Sequence, residues 1–173
     1  MRINALIRTT LVVAALSLSP AIAEASAEND VRNLVQETFQ QLQSRNYSAV
    51  YDSLPSATQK RMSRSRFVSA LQRAHDRYAL DRISIGTVRV SGDLAVADTE
   101  LFGRVTSPIT AEGKIVVQQY LVREGGKWRV ATGDNATIQQ FLKRNPAFAR
   151  KFPIRQPRIY VKQGDRWVQW STR

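Results

Sequence analysis

The chain holds a single histidine, His75, two carboxylates two residues apart, Asp98 and Glu100, and a phenol at Tyr120. Imidazole, carboxylate and phenol are the groups of general acid–base chemistry. A base must reach the proton it removes with a pKa near the working pH, and a developing oxyanion needs donors already in place. In an extended strand Asp98 and Glu100 point to the same side, where they either share a site or meet Arg104, Lys114 or Arg123 across neighbouring strands. His75 comes four residues after Leu71 and next to Asp76, beside an apolar stripe, which is the place of a half-exposed helical histidine. These four are the catalytic candidates, and spacing alone does not join them.

Several chemistries are excluded at once. Cysteine is absent, so thiol catalysis, thiolate-held metal and iron–sulfur clusters have no ligand. One histidine and no clustered carboxylates leave no metal spacing, and no metal or cofactor is expected. The glycine pair of "REGGK" stands between two strand patterns rather than ahead of a helix, so it is a turn and not a phosphate loop.

Charge points to a different class of function. Lysine and arginine number 26 against 14 acidic residues, a net charge of +12. Nine basic residues and one acid, Asp165, fall between Lys143 and Arg173, so the basic excess is concentrated in the tail. Arg155, Arg158, Lys162 and Arg166, with the amphipathic ring of Trp170, are therefore the candidate surface for an anionic partner. Trp167 and Trp170 are three apart and face opposite sides of a strand, so one packs on the domain while the other stays partly exposed.

The elements that must position these residues follow from periodicity. Arg2 and Arg8, the apolar run 11–18, Pro20 and the small residues Ala25-Ser26-Ala27 form a secretory signal pattern, with cleavage after Ala27 or, alternatively, Ala23. The apolar run is far short of the roughly 20 residues that span a bilayer. Val31, Leu34, Val35, Thr38, Phe39 and Leu42 recur at helical spacing and predict a helix over 29–45. A short helix burying Tyr47, Val50, Tyr51 and Leu54 stops before Pro55. A third, capped near Ser63, aligns Phe67, Ala70, Leu71, Ala74 and Tyr78.

From Arg82 the period changes to two. Ile83 and Ile85 alternate on one parity and Val88 and Val90 on the other, with a bulge expected at Gly86. "VSGDLAVADTELF" turns at Gly92-Asp93, "EGKIVVQQYLV" forms the next strand, and Gly125-Gly126 turns it into "KWRVATG". Beyond Gly133, Ile138, Phe141 and Leu142 mark one helix, and Asn145-Pro146 opens another turn in which Phe148 and Phe152 pack. "RIYVKQGDRWVQW" forms a last hairpin, so that "VREGGKW" and "VKQGDRW" are two solutions to one turning problem.

A long first helix, the "RNYSAVYDSL" turn and short helix, a further helix, and strands ending in "VVQQYLVREGGKWRV" resemble the nuclear transport factor 2-like superfamily over residues 29–132. The resemblance implies α+β architecture: N-terminal helices packed on a curved antiparallel sheet, a cone, followed here by a basic extension of short helices and a hairpin that many members lack. It also implies a pocket inside the cone, used by ketosteroid isomerase-like and SnoaL-like enzymes to hold an Asp with a His or Tyr, and by other members for binding without catalysis. The expected organisation is a signal at 1–27, a cone domain at 28–133 and an extension at 134–173. The expected function is an exported, non-catalytic binding or interaction module, with an acid–base enzyme as the alternative. Its partners are a small molecule in the cone, an anionic envelope component, an acidic protein or a second copy of the chain; nucleic acid ranks below these because of export.

Overall fold

The structure, a computed structural model, describes residues 20–106 and 110–170, with side chains from 24 onward. The apolar run 11–18 of the signal pattern lies outside the described residues. Helix α1 runs from Pro20 to Gln43, through both expected cleavage points, and Ala27 is packed in the core with Val31 and Val35.

Among the described residues four helices precede the first strand, one more than the sequence predicted. Helices α2 (Tyr47–Asp52) and α4 (Arg64–His75) were expected; α3 (Ser56–Arg61) lies between them. No apolar period marks α3, because it is held by polar contacts: Glu124 accepts from the Ser56 backbone N–H at 3.0 Å and from its hydroxyl at 2.7 Å. Ser63 caps α4 as expected, accepting from the Arg66 N–H. The helix ends at His75, so Tyr78 opens a strand instead of closing a helix face, and Ala70 is exposed.

Among the described residues the six strands are β1 (Tyr78–Ser91), β2 (Leu94–Val105), β3 (Ala111–Glu124), β4 (Lys127–Val130), β5 (Arg158–Gln163) and β6 (Arg166–Trp170), with α5 (Asn135–Arg144) and α6 (Pro146–Lys151) between β4 and β5. They form one antiparallel sheet ordered β1-β2-β3-β5-β6, with β4 also paired to β3. The fold is therefore α+β, as the resemblance implied. The tail is not an appendage: β5 pairs directly with β3 through Gly113–Val161 and Val116–Arg158, and Phe148 of α6 is buried.

Register slips at Leu80/Arg82 and Ile85/Val88 bend β1, the second at the expected Gly86 bulge. Slipped strands leave carbonyls without ladder partners, and α1 supplies the missing donors. Arg32 donates to the carbonyls of Ile85 and Gly86 at 3.0 and 3.2 Å, while Gln43 donates to those of Leu80 and Asp81 at 3.1 and 2.9 Å. The helix is thus fastened to both bends. Its apolar stripe buries Val88, Ala95, Ala97, Leu121, Trp128 and Val130 on the inner sheet face. A second cluster, Val96, Tyr120, Val122, Ile138, Leu142 and Phe148, seats α5 and α6 on the outer face.

The repeated phrase resolves into two two-residue turns, Gly125-Gly126 and Gly164-Asp165. Gly125, Gly126 and Gly164 all have positive φ, which the tight hairpin requires. Each repeat pairs a basic residue with tryptophan across the strands, Arg123 with Trp128 and Lys162 with Trp167. The registers put the first pair on the inner face and the second on the outer face. Trp128 is 8% exposed beneath α1, whereas Trp167 is 36% exposed. Trp128→Ala should therefore cost about 3–5 kcal/mol in a denaturant titration, as truncation of a large core aromatic does. A loss under about 1 kcal/mol would place the indole outside the core.

Candidate functional site

Residues paired across strands share a face, so the register shows what each face leaves uncovered. On the inner face α1 covers the end of β3 that pairs with β4. The other end carries Leu101, Ile115, Ile159 and Trp170 in one cross-strand row and Gly103, Gly113, Val161 and Val168 in the next. These rows, Val168 apart, floor an apolar hollow of about 410 Å³ that Tyr78, Leu80 and Arg77 also line, while the Arg104 side chain belongs by register to the outer face and pairs with Asp81. Two facing glycines keep it open. A Cβ on Gly103 would fall 2.2 Å from the Ala79 carbonyl oxygen, and one on Gly113 would reach 3.0 Å from the Val105 methyl. Ile159 and Trp170 are 38% and 37% exposed, so the outer wall of the hollow presents apolar area to water.

The outer face has a different chemistry. α5 and α6 cover the β4 end there too, and the chain from Phe152 to β5 passes beside the uncovered part. A polar groove of about 690 Å³ results, lined by Ser84, Asp98, Glu100, Gln118, Arg155 and Arg158 among others. Asp98 meets Arg89 at 2.9 Å and Glu100 meets Lys114 at 3.2 Å. The Lys114 partnership matches the sequence expectation for Glu100; Arg89 was missed because the bulge at Gly86 sets its register. Lys114 also stands 5.4 Å from the ring centres of both Tyr160 and Trp167 and 5.7 Å from that of Phe102, so an ammonium is enclosed by aromatic faces.

The catalytic candidates do not converge. Asp98 and Glu100 share the groove; His75 and Tyr120 line neither it nor the hollow. His75 is buried at 5% exposure, where the sequence predicted half exposure. The correction has a local cause: the last residue of α4 is closed in by Tyr47 and Tyr78, whose rings meet the imidazole edge-on at 5.2 and 4.8 Å. The Tyr47 hydroxyl shares a hydrogen bond with Nδ1, and Nε2 is buried without a partner among the described residues. Tyr120 is buried under α5 and α6, its hydroxyl donating to Gln118 Oε1 at 3.3 Å, and burial pushes its pKa up.

The five anion candidates divide between the faces. Arg155 and Arg158 line the groove, and Lys162 is 3.1 Å from Glu112 on the same face. Arg166 and Trp170 belong to the inner face by register, with Trp170 in the wall of the hollow. Trp167 and Trp170 do face opposite sides, but both remain partly exposed. A strongly charged site lies elsewhere and is structural. Asp134 caps α5 and accepts from Thr58, Thr137 and Arg61. Burial raises its pKa, but those hydrogen bonds and the Arg61 charge outweigh it and hold the carboxyl below its ordinary value. Among the described residues no group of histidine and carboxylates forms a metal cluster, and no helix is long and apolar enough to cross a membrane.

The sequence matches no family model and no curated protein. Among solved structures, a protein described as an NTF2-like transpeptidase from Campylobacter jejuni aligns at TM-score 0.40 and 14% identity, over 58% of this chain and 96% of that one. An NTF2-like protein of unknown function from Pseudomonas putida aligns at 0.42 and 16% identity, over 61% and 82%. A protein described as a calcium/calmodulin dependent protein kinase II association domain from Xanthomonas campestris aligns at 0.39 and 14% identity, over 72% and 92%. No ligand, activity or partner passes from these proteins to this chain.

Burial lowers the His75 pKa, the Arg45 charge lowers it further, and Asp76 opposes both. The folded protein therefore binds this proton less readily than the unfolded chain. The stability it confers is complete above the ordinary value of 6.5 and declines as pH falls toward the depressed folded value. With no other histidine in the chain, denaturant titrations between about pH 7.5 and 5 should show stability falling with acid, and His75→Gln should abolish that slope. An unchanged slope in the variant would assign it to another group.

Proposed function

We propose that this α+β chain of the nuclear transport factor 2-like kind works as an exported, non-catalytic binding module whose ligand lies in the inner hollow. The observation that carries this reading is an uncovered apolar floor of about 410 Å³ with the cationic residue Arg77 in its lining. Ligand cavities commonly have this size and lining, with a few polar groups to fix orientation. The complementary ligand is an amphipathic acid: a hydrocarbon body against Leu101, Ile115, Ile159 and Trp170, and an anionic head toward Arg77. Lysine- and arginine-rich tail segments add attraction for an anionic envelope component.

The acid–base alternative has less behind it. Neither Asp98 nor Glu100 lines the hollow, both are ion-paired, and His75 and Tyr120 are committed to packing contacts elsewhere. Among the described residues nothing gathers a base, a proton donor and an apolar binding surface in one place.

Burying a methylene stabilises a complex by about 0.8 kcal/mol, so a carboxylate lengthened by two carbons should bind roughly tenfold more tightly until the hollow is full. Decanoate should outcompete octanoate by about that factor, with a change in Trp170 fluorescence, and Ile115→Gln should weaken both. Equal affinity for the two acids, or for protein with and without the substitution, would remove the hollow as the seat.

Export adds a second expectation. Ala27 is packed against Val31 and Val35, which favours removal of the leader after Ala23 over removal after Ala27. Mass spectrometry of the protein from its native host should find a mature chain beginning at Glu24. A terminus at Glu28 would select the other site, and an intact Met1 would end the export reading.

A further inference from the structure

We propose that the outer polar groove is a second, independent binding site, selective for a phosphorylated polyol: a phosphate held by Arg155, Arg158 and Gln118, with hydroxyls donated to Asp98 and Glu100. Three observations lead there. First, the groove's charges do not balance. Asp98 and Glu100 are answered by Arg89 and Lys114, whereas Arg155 and Arg158 are exposed and form no ion pair among the described residues. Guanidiniums present planar forks of N–H donors that match phosphate oxygens.

Second, Gln118 is only 8% exposed and lines the groove. Its Oε1 accepts from the Arg155 backbone N–H at 3.0 Å and from the Tyr120 hydroxyl at 3.3 Å. These donors set the orientation of the amide and leave its Nε2 hydrogens without an acceptor among the described residues. That donor is open to the groove, where an oxyanion can supply its acceptor. Third, each carboxylate meets its cation through one oxygen, Asp98 Oδ2 and Glu100 Oε1. The other oxygen of each accepts only, so it suits a hydroxyl and repels a second anion. Donors at one side and acceptors on the floor together describe a ligand with a phosphate and adjoining hydroxyls. Seated on the opposite face from the hollow, the groove takes its ligand whether or not the hollow is filled.

The test uses the full chain and glycerol 3-phosphate, followed by phosphorus nuclear magnetic resonance and titration calorimetry. Glycerol 3-phosphate should bind at least about tenfold more tightly than inorganic phosphate, and glycerol should not bind. Arg155→Gln and Arg158→Gln together should lose at least about tenfold. Lys60→Gln and Arg73→Gln, which remove the same charge from exposed helix positions, should bind like the parent. Both arginine substitutions are at exposed sites, so circular dichroism should stay unchanged. Vesicles containing phosphatidylglycerol present the same group on a surface. Co-sedimentation lost in the Arg155/Arg158 variant assigns the ligand to a lipid headgroup, and soluble binding without co-sedimentation assigns it to a free phosphate. Absence of glycerol 3-phosphate binding at millimolar concentration overturns the site. Equal loss in the Lys60/Arg73 variant overturns it in favour of bulk charge, and equal affinity for inorganic phosphate overturns hydroxyl recognition.

Discussion

Everything in this fold depends on how β3 is paired. Its residues from Ala111 to Val122 pair with β2, but no single strand matches them on the other side. β4 pairs with Leu121 to Glu124 and β5 with Gly113 to Val116. Between the two partners the ladder is interrupted, and a buried backbone cannot leave its polar groups unanswered. Thr132 accepts from the Tyr120 N–H at 3.1 Å, and the Ala131 N–H donates to the Tyr120 carbonyl at 2.8 Å. The Gln118 side chain receives the Arg155 N–H. The tail is thereby drawn onto the sheet as a structural part, since the central strand is incomplete without it.

The two partners also divide both faces of the sheet. α1 on the inner face and α5 with α6 on the outer face pack over the same, β4-paired end of β3. Donation by Arg32 and Gln43 to the carbonyls freed at the two bends of β1 fixes where α1 lies, and hence where it stops. The β5-paired end is left bare on both sides. Side-chain alternation then gives the two openings opposite characters: Leu101, Ile115 and Ile159 look inward, while Glu100, Val116 and Arg158 look outward.

The charged residues are sorted by the same geometry. Asp134, Asp52 and Glu124 are used to hold helices together: Asp134 joins α3 to α5, Asp52 pairs with Arg64 on α4, and Glu124 caps α3. With fourteen acids in the chain, three holding helices together and four more paired within the sheet, only Lys162 among the described cations from Arg144 to Arg166 has an ion-pair partner, and the others face water. That is why the excess charge appears as an exposed feature rather than as internal ion pairs, and why its energetic effect falls with ionic strength.

Much was legible in the sequence because it is local. Helical spacing at Val31, Val35 and Phe39, the Ser63 cap, the period-two pattern from Ile83, the Gly86 bulge and the two Gly-containing turns each follow from the preferences of a few neighbouring residues, and each is present in the structure. α3 is not legible locally because its hold comes from Glu124, sixty-eight residues away. His75 reads as half exposed from its place beside the apolar stripe and next to Asp76, whereas Tyr47 and Tyr78, which enclose it, arrive from other elements. The repeated phrase shows the division most sharply. Local chemistry made both copies into hairpins with a basic residue beside tryptophan, but only the strand each copy joined decided its face. Trp128 went beneath α1 and Trp167 to the open outer side. Likewise the residue types of Asp98, Glu100, Arg155 and Arg158 were plain from the start; their meeting in one groove required β3 to bring strands and tail together, because register is a property of paired strands and not of either strand alone.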